Sequence, residues 1–384
     1  MSLRDVAIAG VYATEQARQL PERTALDLAQ EAVFGAIADA GLTPADVDGV
    51  AADWPGPGGH PGEPASWARA FGRPLRWISD GMLDTSGSRG ILKAAAAIDA
   101  GLCDVAVLGG GMAGSFRAGG SVGPGVQPLE FTDVWGAYVM PLFALIAARH
   151  MHEFGTTAEQ LAIAAATIRN NGHVNPEAMM YDKGPYTADD VLASPMLASP
   201  LHRLMMCLSG EGGAALVLTS VERAKDLPHM PVRVLGGGMD FAGAPYVSPP
   251  QYREVGRLGE LAARQAFSMA GVEVTDVDVF NFYDPNSFEI IRQVETMGLC
   301  AEGEGGSFVA DGNIALDGRY PVNPDGGCLS YAWNGTQQMT LKAVECVRQL
   351  RGTAVNQIPN ARLAVSANAG SAAGHYEIAI LGTD

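Results

Sequence analysis

The chain has 384 residues, 47% of them apolar and 17% charged, and its net charge is −17. This length predicts two domains or one duplicated domain, and the acidic balance without a Lys/Arg cluster excludes nucleic acid and anionic membranes as partners. We expect a cytoplasmic protein, because no apolar run reaches about 18 residues and the N-terminus enters a strand directly.

The five cysteines stand apart in the sequence and form no CxxC pair. This spacing argues against a disulfide framework and against a zinc site, and it suits a reducing compartment. We therefore expect no metal in this chain. The cysteines are Cys103, Cys207, Cys300, Cys328 and Cys346.

Strands and helices alternate along the first part of the chain. The run from Asp5 to Val11 predicts a buried strand, and the apolar spacing from Thr24 to Ala40 predicts a helix with Thr24 as its N-cap. An Ala-rich helix from Ile91 to Ala100 precedes a buried strand from Asp104 to Leu108, which ends in three glycines. This alternation is typical of an α/β protein.

Residues 115–200 are predicted to be an insertion. Helices are expected near Tyr138 to Phe154 and near Thr157 to Asn171, and a polar loop from Asn170 to Pro176 follows them. The strand pattern resumes at Gly210 to Ser220.

An internal repeat predicts the architecture. The segment Ala36 to Val50 resembles Ala266 to Phe280, with an Ala-Gly pair and an Asp-Val-Asp triplet at a constant offset of 230 residues. Each copy is too thin to cover its own sheet, so two similar α/β halves are expected to pack together. We place them at residues 1–230 and 231–384.

Two polar turns in the second half are the strongest site signal. The strand Val279 to Phe282 breaks at Tyr283 to Ser287 before a helix, and Ser330 to Gly335 follows a Gly-Gly pair before another helix. Ligands of open α/β sheets bind beyond the carboxyl ends of strands. We therefore predict that these two turns face one another across one pocket.

The repeat and several segments resemble the thiolase superfamily, and more narrowly its sterol-carrier and lipid-transfer-type thiolase-like proteins. The resemblance covers essentially the whole chain and implies a layered αβαβα fold with duplicated halves and a homodimer. The segments are Thr85 to Ser88, Asp104 to Gly111, Gly210 to Ser220, Glu295 to Cys300, Val322 to Gly327 and Gln349 to Gly352.

The reacting groups of thiolases are replaced at the matching positions. Asp84 stands where the family has its nucleophilic cysteine, and a carboxylate there is more simply an N-cap. Tyr283 replaces one histidine, Tyr331 or Trp333 stands near the other, and Ala367 occupies the last reactive position. The resemblance thus implies no acyl-cysteine at the usual place.

The chain also resembles the lipid-transfer-type aldolases of steroid side-chain degradation. That resemblance implies retro-aldol cleavage of a β-hydroxyacyl-CoA into a ketone or aldehyde and a short acyl-CoA, with Tyr283 and Tyr331 as the acid–base pair. It further implies a small partner protein with an OB-fold and a zinc ribbon. Any zinc would belong to that partner, and this chain is expected to bind no cofactor of its own.

The predicted site residues form two sets. The catalytic set is Tyr283, Tyr331, Asp284 and Asn286. The substrate and oxyanion set is Asp84, Ser86, His173, Trp333, Asn334, Asn368 and Gly370. The basic residues that could supply a pocket for CoA are Arg149, Arg169, Lys183 and Arg203.

Two alternatives stay open at this point. A thiolase-like acyltransferase would use Cys328 or another thiol, although no histidine neighbours Cys328 in sequence and a buried thiol is the simpler interpretation. A non-catalytic lipid or acyl-CoA carrier would use the same pocket without chemistry, and both tyrosines would then be packing residues.

Overall fold

The computed structural model describes residues 3–53, 64–79, 85–114, 139–243, 250–370 and 373–383. The strands in this part are β1 (Val6–Ala13), β2 (Gly49–Asp53), β3 (Trp77–Ile78), β4 (Val105–Met112), β5 (Met196–Ala198), β6 (Leu201–His202), β7 (Gly212–Ser220), β8 (Val232–Phe241), β9 (Val279–Phe282), β10 (Leu363–Asn368) and β11 (His375–Gly382). Nine of them form one mixed sheet in the order β3-β2-β4-β7-β1-β8-β11-β10-β9, while β5 and β6 pair separately.

The helices of the described residues follow the same alternation. They are α1 (Ala25–Asp39), α2 (Trp67–Phe71), α3 (Gly87–Asp99), α4 (Met140–Phe154), α5 (Ala158–His173), α6 (Ala188–Ala193), α7 (Val221–Ala224), α8 (Tyr252–Val255), α9 (Glu260–Ala270), α10 (Ser287–Thr296), α11 (Gly305–Ala310), α12 (Gly327–Tyr331) and α13 (Gln337–Arg351). None of these helices is long and apolar enough to cross a membrane.

The predicted duplication is visible in the strand directions. β1 pairs antiparallel with β7, β7 antiparallel with β4, and β4 parallel with β2. β8, β11, β10 and β9 repeat this pattern in the second half. The antiparallel contact between β1 and β8 joins the halves. The boundary between residues 230 and 231 stays a prediction.

Helices cover the sheet in layers. α1 packs against β1, β4 and β7 on one side, and α9 packs against β8 and β11 on another. α3 and α13 contact each other and also contact strands of both halves, so they form the layer between the halves. The two halves of the mixed sheet thus form two β layers, with α3 and α13 between them and α1 and α9 outside, as expected for an αβαβα stack.

The start of α1 confirms the predicted N-cap. The Thr24 side chain accepts a hydrogen bond from the Asp27 N–H, and the Asp27 side chain accepts one from the Thr24 N–H. This reciprocal capping satisfies two amide groups that a helix start leaves unpaired. Leu28, Ala32 and Val33 then lie on the buried face of the helix, at helical spacing.

The glycines after Asp104 to Leu108 belong to the strand, which differs from the prediction. β4 continues through Gly109 to Gly111. A Cβ on Gly111 would lie 2.6 Å from the Ala29 nitrogen. Glycine is needed here so that α1 can approach the strand closely.

The predicted polar loop from Asn170 to Pro176 is wrong in its first half. α5 continues to His173, because its last turn packs against the second polar turn. A Cβ on Gly172 would overlap the Ser330 side chain, so this position brings the two backbones together. Asn171 is buried and Asn170 and His173 are half-buried, which sequence polarity alone does not indicate.

Candidate functional site

The first polar turn begins where β9 ends. The Tyr283 N–H donates to the Ala367 carbonyl oxygen at 2.8 Å, which continues the parallel pairing with β10. The Tyr283 side chain is 5% exposed and packs in one cluster with Cys328 and Met339. Tyr283 therefore lies between the end of the strand and the start of α13.

Asn286 and Asp284 connect this turn to the helices around it. The Asn286 Oδ1 accepts from the Glu289 N–H at 3.2 Å and caps α10. The carboxylate of Asp284 accepts from the N–H groups of Cys328 at 2.7 Å and Leu329 at 3.1 Å, at the start of α12. The two polar turns thus lie together, and Asp284 is a direct contact between them.

A buried charge network supports that contact. Lys342 is fully buried, and its Nζ lies 3.5 Å from Asp325 Oδ2. Burial raises the pKa of Asp284 to about 7, although Lys342 opposes this shift. Burial and the charge of Asp325 raise the pKa of Glu345 to about 8. The Glu345 carboxyl therefore keeps its proton at neutral pH.

Tyr331 lies on a cleft of about 340 Å³ beside this network. The Asn175 Nδ2 donates to the Tyr331 hydroxyl oxygen at 2.9 Å. Burial, followed by the charges of Asp325 and Glu345, raises the pKa of Tyr331 well above its usual value, so the phenol stays protonated. We call this space the cleft; it is lined by Ala13, Thr14, Glu15, Gln16, Pro176, Glu177, Ala178, Asp325, Tyr331, Leu341, Val344, Glu345 and Arg348.

Tyr283 is not among the described residues that line the cleft. It belongs instead to a second polar region at the start of α3, formed by Ser86, Gly87, Asn368 and Gly370, which we call the cradle. A Cβ on Gly87 would overlap the Asn368 Nδ2 and would lie 2.7 Å from the Met339 Cβ. The cradle is therefore closely packed and requires glycine at its centre.

The cradle contains polar atoms without partners. Both amide atoms of Asn368 and the Ser86 hydroxyl are buried and have no hydrogen-bond partner within the described part of the chain. Leaving a buried polar group unpaired costs about 1–3 kcal/mol, so folding alone does not favour this arrangement. Such groups are expected where a ligand completes the hydrogen bonding.

Met339 joins the cradle to Tyr283. The Met339 side chain packs with Tyr283 and also lies beside Gly87, and its Cε would be 3.1 Å from a Cβ on Gly370. The structure thus gathers three predicted residues, Tyr283, Asn368 and Gly370, near Met339, and the fourth, Ser86, directly precedes Gly87 in the chain.

Other predicted site residues lie elsewhere. His173 ends α5, and its Nδ1 accepts from the Gly184 N–H at 3.1 Å. Trp333 is 36% exposed, while Asn334 is buried and donates to Gln16 at the wall of the cleft. Asp84 lies outside the described residues. The structure does not bring the side chains of His173, Trp333 and Asn334 to the cradle.

Arg169 is not available to hold CoA. It is 1% exposed, and its guanidinium donates to the carbonyl oxygens of Leu204, Met206 and Leu329 at 2.6–2.8 Å. Its charge serves to hold α12 and the segment before β7 together. A phosphate group would have to break all three bonds to reach it.

The cysteine at this site, Cys328, is poorly suited to act as a nucleophile. All five cysteines are free, as predicted. Burial, together with Cys207 and Asp284, raises the pKa of Cys328 well above its usual value. A thiolate is the reactive form of cysteine, so this environment disfavours nucleophilic attack by Cys328. The described residues contain no cluster of side chains suited to a metal ion.

Sequence reasoning missed a histidine beside the cradle. His375 Nδ1 lies 3.0 Å from the Glu377 carboxylate at the start of β11. The available signal was the His-x-Glu spacing, which places two side chains on the same face of a strand. The sequence did not show that the face of β11 that carries His375 and Glu377 lies beside Gly370.

The layered fold, the duplicated halves and a polar site at strand ends define a thiolase-type scaffold. A family model described as thiolase C-terminal domain-like matches residues 258–383. A steroid side-chain-cleaving aldolase from Thermomonospora curvata is 33% identical over 91% of this chain and 91% of its own length. A 17-hydroxy-3-oxo-4-pregnene-20-carboxyl-CoA lyase from Mycobacterium tuberculosis is 33% identical over 92% of this chain and 93% of its own length.

A solved structure, the Ltp2-ChsH2(DUF35) aldolase, superposes with a TM-score of 0.85 at 32% identity, covering 98% of this chain and 97% of that chain. The chain therefore belongs to the thiolase superfamily, in its group of lipid-transfer and sterol-carrier-type thiolase-like proteins that includes the side-chain-cleaving aldolases. It is a carbon–carbon lyase on a thiolase scaffold, which confirms the predicted fold and enzyme class.

Proposed function

We propose that this lyase cleaves the Cα–Cβ bond of a β-hydroxyacyl-CoA whose acyl group is a steroid or another lipid side chain. The products are a ketone or aldehyde and a short acyl-CoA. The observation that carries the proposal is the set of buried, unpartnered polar groups of Asn368 and Ser86 beside Tyr283. The names of two relatives, which specify steroid side-chain cleavage and a carboxyl-CoA lyase, support the substrate class.

The cradle suits the charge that develops in this reaction. When the Cα–Cβ bond breaks, its electron pair passes into the thioester and negative charge accumulates on the carbonyl oxygen. The Asn368 amide and the Ser86 hydroxyl can donate hydrogen bonds to that oxygen, and the N-terminus of the 13-residue helix α3 favours negative charge nearby. Preorganised donors in a buried site are a main source of catalysis.

The tyrosines form the acid–base pair in this proposal. Tyr283 lies at the cradle and is placed to take part in removing the β-hydroxyl proton, while the Tyr331 phenol, which stays protonated, donates a hydrogen bond to the thioester oxygen of the enolate. Asp284 contacts α12 directly, so it sets the position of the helix that carries Tyr331. We assign Asp284 and Asn286 to positioning these elements.

The geometry favours this reaction over acyl transfer. Acyl transfer on this scaffold needs a thiolate, and burial opposes ionisation of Cys328. Retro-aldol cleavage needs only proton transfer and stabilisation of an enolate. In this proposal the tyrosines supply the proton transfer, and the neutral donors of the cradle stabilise the enolate.

We further propose that the enzyme is a homodimer that binds a small partner protein with an OB-fold and a zinc ribbon. The related solved structure is a complex whose description names a DUF35 chain. Among the described residues, β3 is the last strand at its end of the sheet, and a second copy of the chain can cover that edge. Zinc would reside in the partner, and this chain would use only the CoA thioester.

The proposed function is tested by product mass. The chain, purified with its partner, is incubated with a β-hydroxyacyl-CoA that carries a steroid side chain, and both products are measured. We expect Tyr283→Phe and Tyr331→Phe to lower cleavage by about 10²–10⁴-fold. Tyr12→Phe, a tyrosine that contacts Glu31 on the outer layer, is the matched control and should keep full activity.

Unchanged cleavage in both variants would reject the tyrosine roles. Complete loss of activity after alkylation of thiols, with the fold intact, would instead favour acyl transfer through a cysteine.

A further inference from the structure

His375 is held in one orientation by a chain of charged groups. Its side chain is 3% exposed, and its Nδ1 lies 3.0 Å from the Glu377 carboxylate. Glu377 is held in turn by Arg89 in the first turn of α3, whose Nε donates at 2.8 Å. His375 and Glu377 share the strand face that looks toward α3, so the imidazole is fixed beside the middle layer.

The other ring nitrogen of His375 is unused within the described residues. Nε2 is buried and has no hydrogen-bond partner there. When Nδ1–H donates a hydrogen bond to the Glu377 carboxylate, the uncharged tautomer of the imidazole has its lone pair at Nε2. Like the amide of Asn368 and the hydroxyl of Ser86, this nitrogen is a buried polar group without a hydrogen-bond partner among the described residues.

Nε2 borders the cradle. A Cβ on Gly370 would overlap it, so only glycine lets the chain after Asn368 pass this close to the ring. The same Cβ on Gly370 would lie 3.1 Å from the Cε of Met339, the residue against which Tyr283 packs. Two groups that can exchange a proton, His375 Nε2 and the Tyr283 phenol, are therefore connected through contacts with Gly370 and Met339.

We propose that His375 is a further catalytic residue of this site, the one that carries the proton from the β-hydroxyl to Cα. The proposal rests on the retro-aldol function above. The hydroxyl proton moves through the Tyr283 phenol to Nε2 as the Cα–Cβ electron pair enters the thioester. Glu377 stabilises the imidazolium, and Cα of the enolate then takes the proton from Nε2, which restores the neutral ring.

His375 can return a proton to Cα of the enolate, a step for which the neighbouring side chains are poorly suited. Tyr331 holds its proton too strongly to act as a base at neutral pH, and Ala367 has no reactive group. Imidazole is the side chain best suited to accept and return a proton near pH 7.

Deuterium exchange into a short thioester isolates this step. The enzyme, with its partner, is incubated with acetyl-CoA in D₂O, and deuterium at Cα is measured by mass. We expect the wild type to exchange Cα hydrogens, and His375→Asn to lower the exchange rate and the cleavage rate by at least about 100-fold. Asn retains a donor in place of Nδ1, so the bond to Glu377 and the fold are kept. Tyr283→Phe should lose cleavage but keep exchange.

His202→Asn is the matched control. His202 donates through Nδ1 to the Ser194 carbonyl oxygen at 2.7 Å, far in sequence from the cradle, and the variant keeps that bond. If His375→Asn does not fold, Glu377→Gln gives the second measurement, with a smaller loss of exchange and a changed pH profile.

Two results overturn the assignment. One is exchange by the folded His375→Asn variant at the wild-type rate, and the other is cleavage by the wild type without any exchange. Histidine-dependent exchange in an enzyme that never cleaves a β-hydroxyacyl-CoA would reject the proposed function and leave the role of His375 in Cα proton transfer standing.

Discussion

The cradle and the cleft lie near each other but differ in how their polar groups are satisfied. In the cradle, Asn368 and Ser86 are neutral and lack partners within the described residues. In the cleft, Asp325 pairs with Lys342, and Glu177 pairs with Arg348. Polar groups that already pair with each other stabilise the fold. Buried polar groups without a partner cost free energy until a ligand forms hydrogen bonds with them. The enolate is therefore expected to bind at the cradle, while the completed bonds of the cleft hold α12, and with it Tyr331, in position.

Among the single hydrogen-bond donors of the cradle, we expect the Asn368 amide to have the largest effect on cleavage when it is removed. Asn368→Ala should lower cleavage by about 10²–10³-fold, since it deletes a donor to the enolate oxygen. The same change removes a buried unpartnered amide, so the free energy of unfolding should stay the same or increase. Steady-state kinetics and chemical denaturation measure the two effects.

Asn313→Ala is the matched control. The Asn313 Nδ2 donates to the Phe308 carbonyl oxygen at 2.9 Å, so this variant should lose stability and keep its activity. If Asn368→Ala behaved in the same way, Asn368 would be a structural residue and the contrast between the cradle and the cleft would fail.

The second prediction concerns Gly87→Ala, a substitution that adds a methyl group to the cradle and leaves the cleft residues unchanged. Gly87 has a positive φ of 55°, and a Cβ there would overlap Asn368. Gly101, just beyond the other end of α3, has a φ of 72° and open space around it. Both alanine variants suffer backbone strain of about 1–2 kcal/mol, but only Gly87→Ala adds a clash.

We expect Gly87→Ala to lose about 2–3 kcal/mol more stability than Gly101→Ala, since overpacking of a filled interior has about this cost. It should also abolish cleavage, while Gly101→Ala should keep it. Denaturant titration of both variants measures the difference. Equal losses would show that the cradle has room for a methyl group and is less closely packed than the structure indicates.

The sequence predicted the scaffold better than the site. The repeat at Gly41 and Gly271 indicated the duplicated halves, because it depends on local spacing. The bond from Asp284 to α12 joins residues 44 positions apart, and the meeting of Gly370 with His375 depends on how a loop turns. Such contacts are set by tertiary packing, so residue type and spacing could not predict them.

Tertiary packing also explains why the loop predicted from Asn170 was wrong at the end of α5. The run from Asn170 to His173 is polar and suggested a loop, yet Asn171 is buried and donates to carbonyl oxygens near Asn323. Burial turned these polar residues into structural contacts. Sequence polarity does not distinguish a side chain in water from one that is satisfied inside the protein.

The smallest expected effect is a pH dependence of the free energy of unfolding, caused by buried carboxyl groups in and beside the cleft. The pKa of Glu345 is raised from 4.5 to about 8, and that of Asp284 from 3.8 to about 7. In both cases the folded state binds the proton more strongly than the unfolded chain does. The stabilisation that these two groups contribute should therefore be complete below about pH 4 and be lost as the pH rises toward about 8.

Glu345→Gln tests this origin, because the amide cannot ionise. The variant should flatten the fall in stability between about pH 5 and pH 8 by about 1–2 kcal/mol. Glu15→Gln, at an exposed position on the same cleft, should leave the slope unchanged. Denaturation at a series of pH values measures the slopes. The cradle is neutral, so Asn368→Ala should not alter the slope; a change there would mean that the two regions are electrostatically coupled.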